Sequence, residues 1–143
     1  MRWVSVAVAT IAVVSFCGAQ QTPSDVAFGG EFFFRFRAAA GGLSPEERAG
    51  VVQERLTQVF TNLYARGALP AVSTRYHGGW ATVWVTGVLF ATVTINDARA
   101  NGTTVRHLAR QWSHRTARAL RTILPSPKLA RSLTRPLWLA QAR

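Results

Sequence analysis

The chain has 143 residues, a formal net charge of +11 and a single cysteine. Its length fits one domain with its own core, and a hydrophobic content of 48% excludes a wholly disordered chain. The single cysteine excludes a disulfide scaffold and a thiolate zinc site. The charge is uneven, because residues 20–97 hold six arginines and six acids, whereas residues 98–143 hold nine arginines, one lysine and no acid.

The N-terminal segment has the layout of a secretory signal peptide. Arg2 gives a positive start, residues 3–16 are uncharged and mostly apolar, and Ala19 is a small residue suited to cleavage before Gln20. We therefore predict that residues 1–19 are a signal peptide and that the protein is exported to the periplasm or cell envelope.

Two alternatives to cleavage before Gln20 stay open: an uncleaved N-terminal anchor and acylation at Cys17 as a lipoprotein. The apolar run is shorter than the roughly 20 residues that span a bilayer, which disfavours a permanent N-terminal anchor. Acylation at Cys17 is disfavoured because the preceding residue, Phe16, is large. No later segment reaches spanning length, so no transmembrane span is predicted in the mature chain.

The predicted mature chain begins with a polar lead-in and a strand. Residues 20–30 contain glycine and proline and are interpreted as the lead-in. Residues 31–37 (EFFFRFR) have the alternation of a β-strand, in which neighbouring side chains point to opposite faces. The alternation predicts one face formed by Phe32, Phe34 and Phe36, and an opposite face formed by Phe33, Arg35 and Arg37.

The clearest helix start is the segment Ser44-Pro45-Glu46-Glu47. A serine followed three residues later by glutamate is a capping box, and proline suits the first helical position. Apolar residues recur at helical spacing as far as about Tyr64, and Gly67 and Pro70 close the predicted helix.

From residue 71 the hydrophobic period changes to two. Residues 71–76, 80–85 and 88–95 are predicted strands, joined by tight turns at His77-Gly78-Gly79 and Thr86-Gly87. The side chains expected to face the helices are Val83, Val85, Leu89, Ala91 and Val93. Asp97 is predicted to cap a short turn that follows the third of these strands.

A second long helix is predicted over residues 103–124, where apolar residues recur every three or four positions. Prolines then end it, and residues 125–143 are interpreted as a basic, proline-containing tail. The order β-α-β-β-β-α predicts an α+β domain over residues 31–124. We expect a two-layer sandwich of one mainly antiparallel sheet with two helices on one face.

Several segments together resemble the extracytoplasmic N-terminal domain of bacterial proteins of the mechanosensitive small-conductance channel type, especially cyanobacterial ones. The similarity covers about residues 31–122. The matching positions are Ser44, Glu47, Arg48, Ala49, Arg55, Leu56, Val93, Thr94, Asp97, Ala98, Leu108, Ala109 and Trp112. These motifs imply a shared fold but supply no catalytic residue. The channel's spans and pore have no counterpart in this sequence, so the chain is not expected to conduct ions alone.

The sequence offers no recognisable metal site or catalytic constellation. His107 and His114 are seven positions apart on a predicted helix, or about 10 Å along its axis, which is too far for shared ligation of one ion. His77 lies in a glycine turn. The sequence contains no catalytic-serine motif and no phosphate-binding loop. Glu31 is the one acidic residue to which we assign no structural role. We predict no cofactor, no metal and no enzyme activity.

Two features indicate binding. Tyr76, Trp80 and Trp84 are predicted to share the sheet face opposite the helices, where an aromatic row suits sugar rings or a protein partner. The alternative is that the apolar tail, with Leu137 and Trp138, covers this row.

The second binding feature is the basic face of the last helix, formed by Arg106, Arg110, Arg115, Arg118 and Arg121. Such charge attracts nucleic acid, anionic lipid or cell-wall polymer, and predicted export argues against nucleic acid. The alternative is compositional, since sixteen arginines against one lysine is typical of GC-rich codon usage.

These features lead to three hypotheses. The first is an exported, non-catalytic binding or sensing module at the bacterial cell envelope, for which an anionic envelope component is a candidate partner. The second is a structural accessory domain that docks on a membrane protein or an anionic membrane surface. The third, an envelope hydrolase, is the least supported, because no catalytic group beyond Glu31 is unassigned.

Overall fold

The computed structural model describes residues 22–124. The elements in this range are β1 (Ser24–Phe28), β2 (Glu31–Phe36), α1 (Pro45–Arg66), β3 (Val72–His77), β4 (Trp80–Val85), β5 (Val88–Val93), α2 (Ile95–Ala100) and α3 (Val105–Ile123). The strands form an antiparallel pair, β1–β2, and an antiparallel sheet of order β3-β4-β5. The predicted α+β class is confirmed. The predicted signal peptide and the tail from residue 125 lie outside the described residues.

Two details of the predicted architecture are wrong. The predicted single sheet is two sheets, and the supposed lead-in contains β1, which pairs with β2 across a turn at Gly29 and Gly30. Both glycines have positive φ, 58° and 82°, as tight hairpin turns require. In β1 only Val26 is fully buried, so the segment lacks the apolar alternation by which strands are recognised.

Each sheet contains a break in register that changes which apolar side chain points into the core. The register skips Phe33 between two residue pairs of β1–β2, and skips Phe90 between two pairs of β4–β5. A bulge leaves one residue without a partner and reorients its neighbours. Phe33 and Phe90 are fully buried, with ring centroids 6.3 Å apart, whereas Phe32 is 45% exposed and Leu89 only half-buried. The predicted facing of Phe32, Phe33 and Leu89 is therefore wrong.

Helix α1 begins and ends as predicted. The Ser44 amide donates to Glu47 Oε2 at 2.7 Å, and the Glu47 amide donates to Ser44 Oγ at 3.2 Å. Donation from the Ser44 backbone lowers the pKa of the Glu47 carboxyl below its ordinary value. The helix ends at Gly67, whose left-handed φ of 55° suits glycine.

The core lies between the helices and the two sheets. Helix α3 packs against β2 and against one face of β3–β5, while α1 packs against β1, β2 and β5. Trp112 of α3 stacks on Phe34 with ring centroids 4.3 Å apart and meets Phe36 edge-on at 5.2 Å. Such aromatic contacts add to the stabilisation from burial. Trp112 therefore fixes α3 onto β2.

A buried ion pair joins α1 to the first turn of α2. Arg48 donates from both terminal nitrogens to the Asp97 carboxylate at 2.7 and 2.8 Å, and also to the carbonyls of Ala38 and Thr92. Asp97 accepts two more hydrogen bonds from Thr94, which is the N-cap of α2. The prediction that Asp97 itself is the cap is wrong. Asp97 is the third helical residue, and its carboxylate completes a second capping box.

Arginines of α1 also cover one edge of the three-stranded sheet. Strand β5 is an edge strand, and edge carbonyls need donors when they are not in water. Arg48 donates to Thr92 O at 2.9 Å, and Arg55, two helical turns later, donates to Phe90 O at 3.3 Å. These two side chains therefore donate to edge carbonyls that a fourth strand of this sheet would otherwise pair with.

Candidate functional site

Helix α3 carries the candidate site and has one buried side. It begins after Thr104, whose hydroxyl accepts from the His107 amide at 3.2 Å. Residues three or four apart lie on the same side of a helix. The buried residues are Leu108, Ala109, Trp112, Thr116, Ala119 and Leu120. The arginines consequently lie on the remaining sides, where their guanidinium groups reach solvent.

A groove of about 740 Å³ runs between α3 and the edge strand β3. We call it the basic groove; its lining residues are Val72, Ser73, Thr74, Arg110, Ser113, His114, Ala117, Arg118, Arg121 and Thr122. Ser113 donates to Ala109 O at 2.9 Å, so the hydrogen bond between the Ser113 and Thr74 hydroxyls is donated by Thr74. This contact ties the helix to the strand in the groove.

The positive charge of the basic groove is not neutralised within residues 22–124. The ion pairs in that part of the chain are Asp25–Arg35 and Arg48–Asp97, and neither includes an arginine of α3. The sequence from residue 98 onward contains no acid, so α3 has no carboxylate of its own. Three guanidinium groups, of Arg110, Arg118 and Arg121, are therefore available to an external anion.

The other two predicted arginines of α3 lie outside the basic groove. The Arg106 guanidinium lies 4.9 Å from the ring centroid of Tyr76, and that of Arg115 lies 5.9 Å from the ring centroid of Phe32. Arg115 contacts β2, whereas the groove opens toward β3. The structure thus divides the five predicted arginines into a group of three and two separate residues.

The predicted aromatic row of Tyr76, Trp80 and Trp84 does not form. His77 pairs with Trp80 and Tyr76 pairs with Ala81, because the turn contains two residues and not the predicted three. A shift of one residue moves a side chain to the other face of a sheet. Tyr76 therefore lies on the face covered by α3, where it contacts Arg106.

The two tryptophans do share the opposite face of the sheet. Trp80 stacks on His77 with ring centroids 4.1 Å apart, and the Arg75 guanidinium lies 4.5 Å from the ring centroid of Trp84. The Trp84 indole donates to the Thr82 hydroxyl at 2.9 Å. Each tryptophan thus has a polar neighbour from this sheet. The proposed cover, residues 125–143, lies outside the described part of the chain.

The described residues show no arrangement typical of metal binding or of a membrane span. Within residues 22–124, no three histidine, cysteine, aspartate or glutamate residues are grouped so as to hold a metal ion. None of the helices in that range is long and apolar enough to cross a membrane. Glu31 begins β2 opposite Phe28, and Asp97 is engaged by Arg48.

A second concavity, of about 640 Å³, was missed by the sequence analysis. We call it the α1–β5 pocket; its lining includes Phe36, Leu43, Arg48, Val51, Val52, Arg55, Trp80, Ala91, Thr92 and Ile95. These residues come from segments up to about sixty positions apart in the sequence, and no local pattern unites them. Only the folded chain reveals this pocket.

The positions that carry the family resemblance all have structural explanations. Ser44 and Glu47 cap α1, and Arg48 pairs with Asp97. Arg55 donates to the β5 edge. The apolar members Ala49, Leu56, Val93, Ala98, Leu108, Ala109 and Trp112 are buried. The relation to the channel-type domain stays a prediction, since the matching positions describe how this chain folds.

Comparison with known proteins identifies a family. A family model described as a domain of unknown function, DUF8459, matches residues 25–123. Neither the curated proteins nor the solved structures gave a significant match. The matched range runs from β1 to the end of α3, so it contains both sheets, all three helices of the described residues, the basic groove and the α1–β5 pocket. Since the match covers more than half of the sequence, the chain belongs to the DUF8459 family.

Proposed function

We propose that this protein is an exported, non-catalytic binding module of the bacterial cell envelope, and that it binds an anionic surface through the basic groove. The observation that carries the proposal is the group of three exposed arginines, Arg110, Arg118 and Arg121, without an acidic partner in residues 22–124. The signal-peptide pattern of residues 1–19 supports the location.

The chemistry of the groove favours phosphate or carboxylate groups. Guanidinium donates two parallel hydrogen bonds to such groups, and arginine is the side chain best suited to this recognition. The Ser73 hydroxyl also lines the groove and adds a neutral donor, whereas the Thr122 hydroxyl donates to Arg118 O at 3.2 Å. A groove with one sign of charge raises the local concentration of the opposite charge, which favours a surface that carries many anions.

The test compares two charge-matched variants of the full chain. The groove variant replaces Arg110, Arg118 and Arg121 with glutamine; the control replaces Arg37, Arg66 and Arg99, which are exposed outside the groove. Both lose three positive charges. Binding is measured by cosedimentation with phosphatidylcholine vesicles, with and without phosphatidylglycerol. The unmodified chain is expected to bind only the anionic vesicles and to be released as salt rises.

The groove variant is expected to bind those vesicles about 3- to 100-fold more weakly, since an exposed ion pair contributes about 0.2–1 kcal/mol. The control is expected to lose less than about threefold. Equal losses in both variants would mean that only net charge matters. If deletion of residues 125–143 abolishes binding and the groove variant does not, the tail is the binding surface. Salt-sensitive retention on native membranes without binding to vesicles would favour docking on a membrane protein.

A further inference from the structure

The α1–β5 pocket lies on a different side of the molecule from the basic groove and has a different chemistry. It is bounded by the first half of α1, strand β5 and the start of α2, and none of its lining residues lines the groove. Its volume of about 640 Å³ lies within the range of about 300–1,000 Å³ found for small-molecule sites. Its size and its mostly apolar lining suit a small apolar ligand.

Exposed hydrophobic side chains concentrate at this pocket. Leu43, Trp80 and Ile95 are 38%, 44% and 48% exposed, and all three line it. They are three of the seven large hydrophobic residues exposed within residues 22–124. Covering apolar surface is favourable by about 25 cal/mol for each Å² removed from water. Three such residues around one concavity therefore mark a surface that gains stability from an apolar ligand.

One cation at the pocket, Arg55, has most of its donors unused. The terminal nitrogens of Arg48 are occupied instead, because their four N–H groups donate to Asp97 and to two carbonyls. Arg55 donates one long hydrogen bond, 3.3 Å, to Phe90 O, and its guanidinium makes no other hydrogen bond within residues 22–124. Arginine has five N–H donors, so most of those on Arg55 have no partner among the described residues. The pocket thus combines an apolar wall with one site for an anionic group.

We propose that the α1–β5 pocket binds the acyl chain of a single-chain carboxylate amphiphile, and that Arg55 binds its carboxylate head. The acyl chain covers Leu43, Trp80 and Ile95, which removes their apolar surface from water. The carboxylate accepts two hydrogen bonds from the free donors of Arg55, which is the pairing preferred by this side chain. This site does not depend on anion binding in the basic groove.

The probe is dodecanoate below its micelle concentration, added to the full chain. Binding is measured by calorimetry, and its location by amide chemical shifts in heteronuclear NMR. The largest shifts are expected at Val51, Ala91 and Thr92, with little change at Ser113 or Ala117 in the basic groove. Dodecanol, which has the same chain without the charge, is expected to bind about tenfold more weakly.

Matched variants separate specific binding from general attraction to a basic protein. Leu43→Glu places a charge at the pocket and is expected to weaken dodecanoate binding about tenfold or more, whereas Leu69→Glu changes an exposed leucine elsewhere and is expected to change it less than about twofold. Arg55→Gln is expected to remove the preference for dodecanoate over dodecanol. Arg66→Gln, on the same helix outside the pocket, is expected to keep it.

Three results would overturn the proposal. One is uniform shifts over the whole chain, and another is equal weakening by Leu43→Glu and Leu69→Glu. The third is binding that appears only after residues 125–143 are deleted, since the tail, with Leu137 and Trp138, would then be the occupant. None of these results bears on vesicle binding through the basic groove, so the two proposals fail separately.

Discussion

Arg48 on α1 and the groove arginines on α3 have opposite roles. On α1, Arg48 is buried against Asp97 and donates to two carbonyls, so its charge is neutralised inside the protein. On α3, Arg110, Arg118 and Arg121 are exposed and form no ion pair within residues 22–124. The net charge of the chain is therefore a poor guide to binding, because each arginine has to be assigned by its partners.

The difference between buried Arg48 and the exposed arginines of α3 follows from what each helix faces. Helix α1 lies beside the edge of β5, whose carbonyls need donors once water is excluded. Helix α3 leaves a groove between its basic side and β3, so its guanidinium groups stay solvated. A charged side chain is rarely buried without a partner. Among the described residues, the groove beside α3 contains no carboxylate that could pair with these arginines. Three predictions sharpen this comparison, in order of decreasing effect.

Replacement of Arg48 by methionine is expected to destabilise the protein by about 3–5 kcal/mol, because Asp97 is left buried without its counter-charge. Arg110→Met, the same change on α3, is expected to alter the free energy of unfolding by less than about 0.5 kcal/mol. Urea unfolding of both variants measures the contrast. The double variant Arg48→Met, Asp97→Leu is expected to be more stable than the sum of its single changes predicts. Equal effects of Arg48→Met and Arg110→Met would remove the distinction between the two helices.

The exposed Asp25–Arg35 pair is expected to make a smaller, pH-dependent contribution. The hydrogen bond from Arg35 lowers the pKa of Asp25 below its ordinary value of 3.8. A carboxyl whose pKa is lower in the folded state stabilises the fold above its unfolded pKa, and this stabilisation is lost as pH falls through the folded pKa. The difference in unfolding free energy between the unmodified chain and Asp25→Asn should therefore shrink as pH is lowered below about 3.8. A difference that stays constant down to the acid limit would contradict the proposed ionic origin.

The groove variant, with Arg110, Arg118 and Arg121 changed to glutamine, is expected to have almost unchanged stability. Surface substitutions usually alter the free energy of unfolding by less than about 0.5 kcal/mol. Arg118 and Arg121 are three residues apart, where like charges on a helix repel each other, so their removal offsets any lost contact. Thermal unfolding measures the change. A large loss would show that these arginines have a structural role and would weaken their assignment to binding.

The elements of the fold were predictable where the chain carries local signals. The capping box at Ser44, the apolar spacing of α1 and α3, and the alternation of β4 each depend on residues close in sequence. Strand β1 has no such signal, because only Val26 is fully buried and the strand depends on its partner β2. The bulges at Phe33 and Phe90 also have no local sequence signal, because a prediction from alternation assumes an unbroken register.

The candidate site was predictable only in part. The exposed arginines of α3 follow from helical spacing, but their division does not, because the positions of β2 and β3 decide which arginines face the groove. The predicted sheet face of Tyr76 was wrong because the turn before Trp80 is one residue shorter than predicted. The α1–β5 pocket joins Leu43, Trp80 and Ile95, and nothing in the sequence places these residues together.

The contact between Phe33 and Phe90 has a consequence for cooperativity. The two rings come from separate sheets that share no strand, so side-chain packing, and not backbone pairing, links the two sheets across this contact. An isolated hairpin such as β1–β2 is marginally stable in water. Its persistence therefore depends on the second sheet and on the helices that cover it. The two sheets are consequently expected to unfold as one unit, so that amide protons in either sheet exchange with solvent through the same global opening.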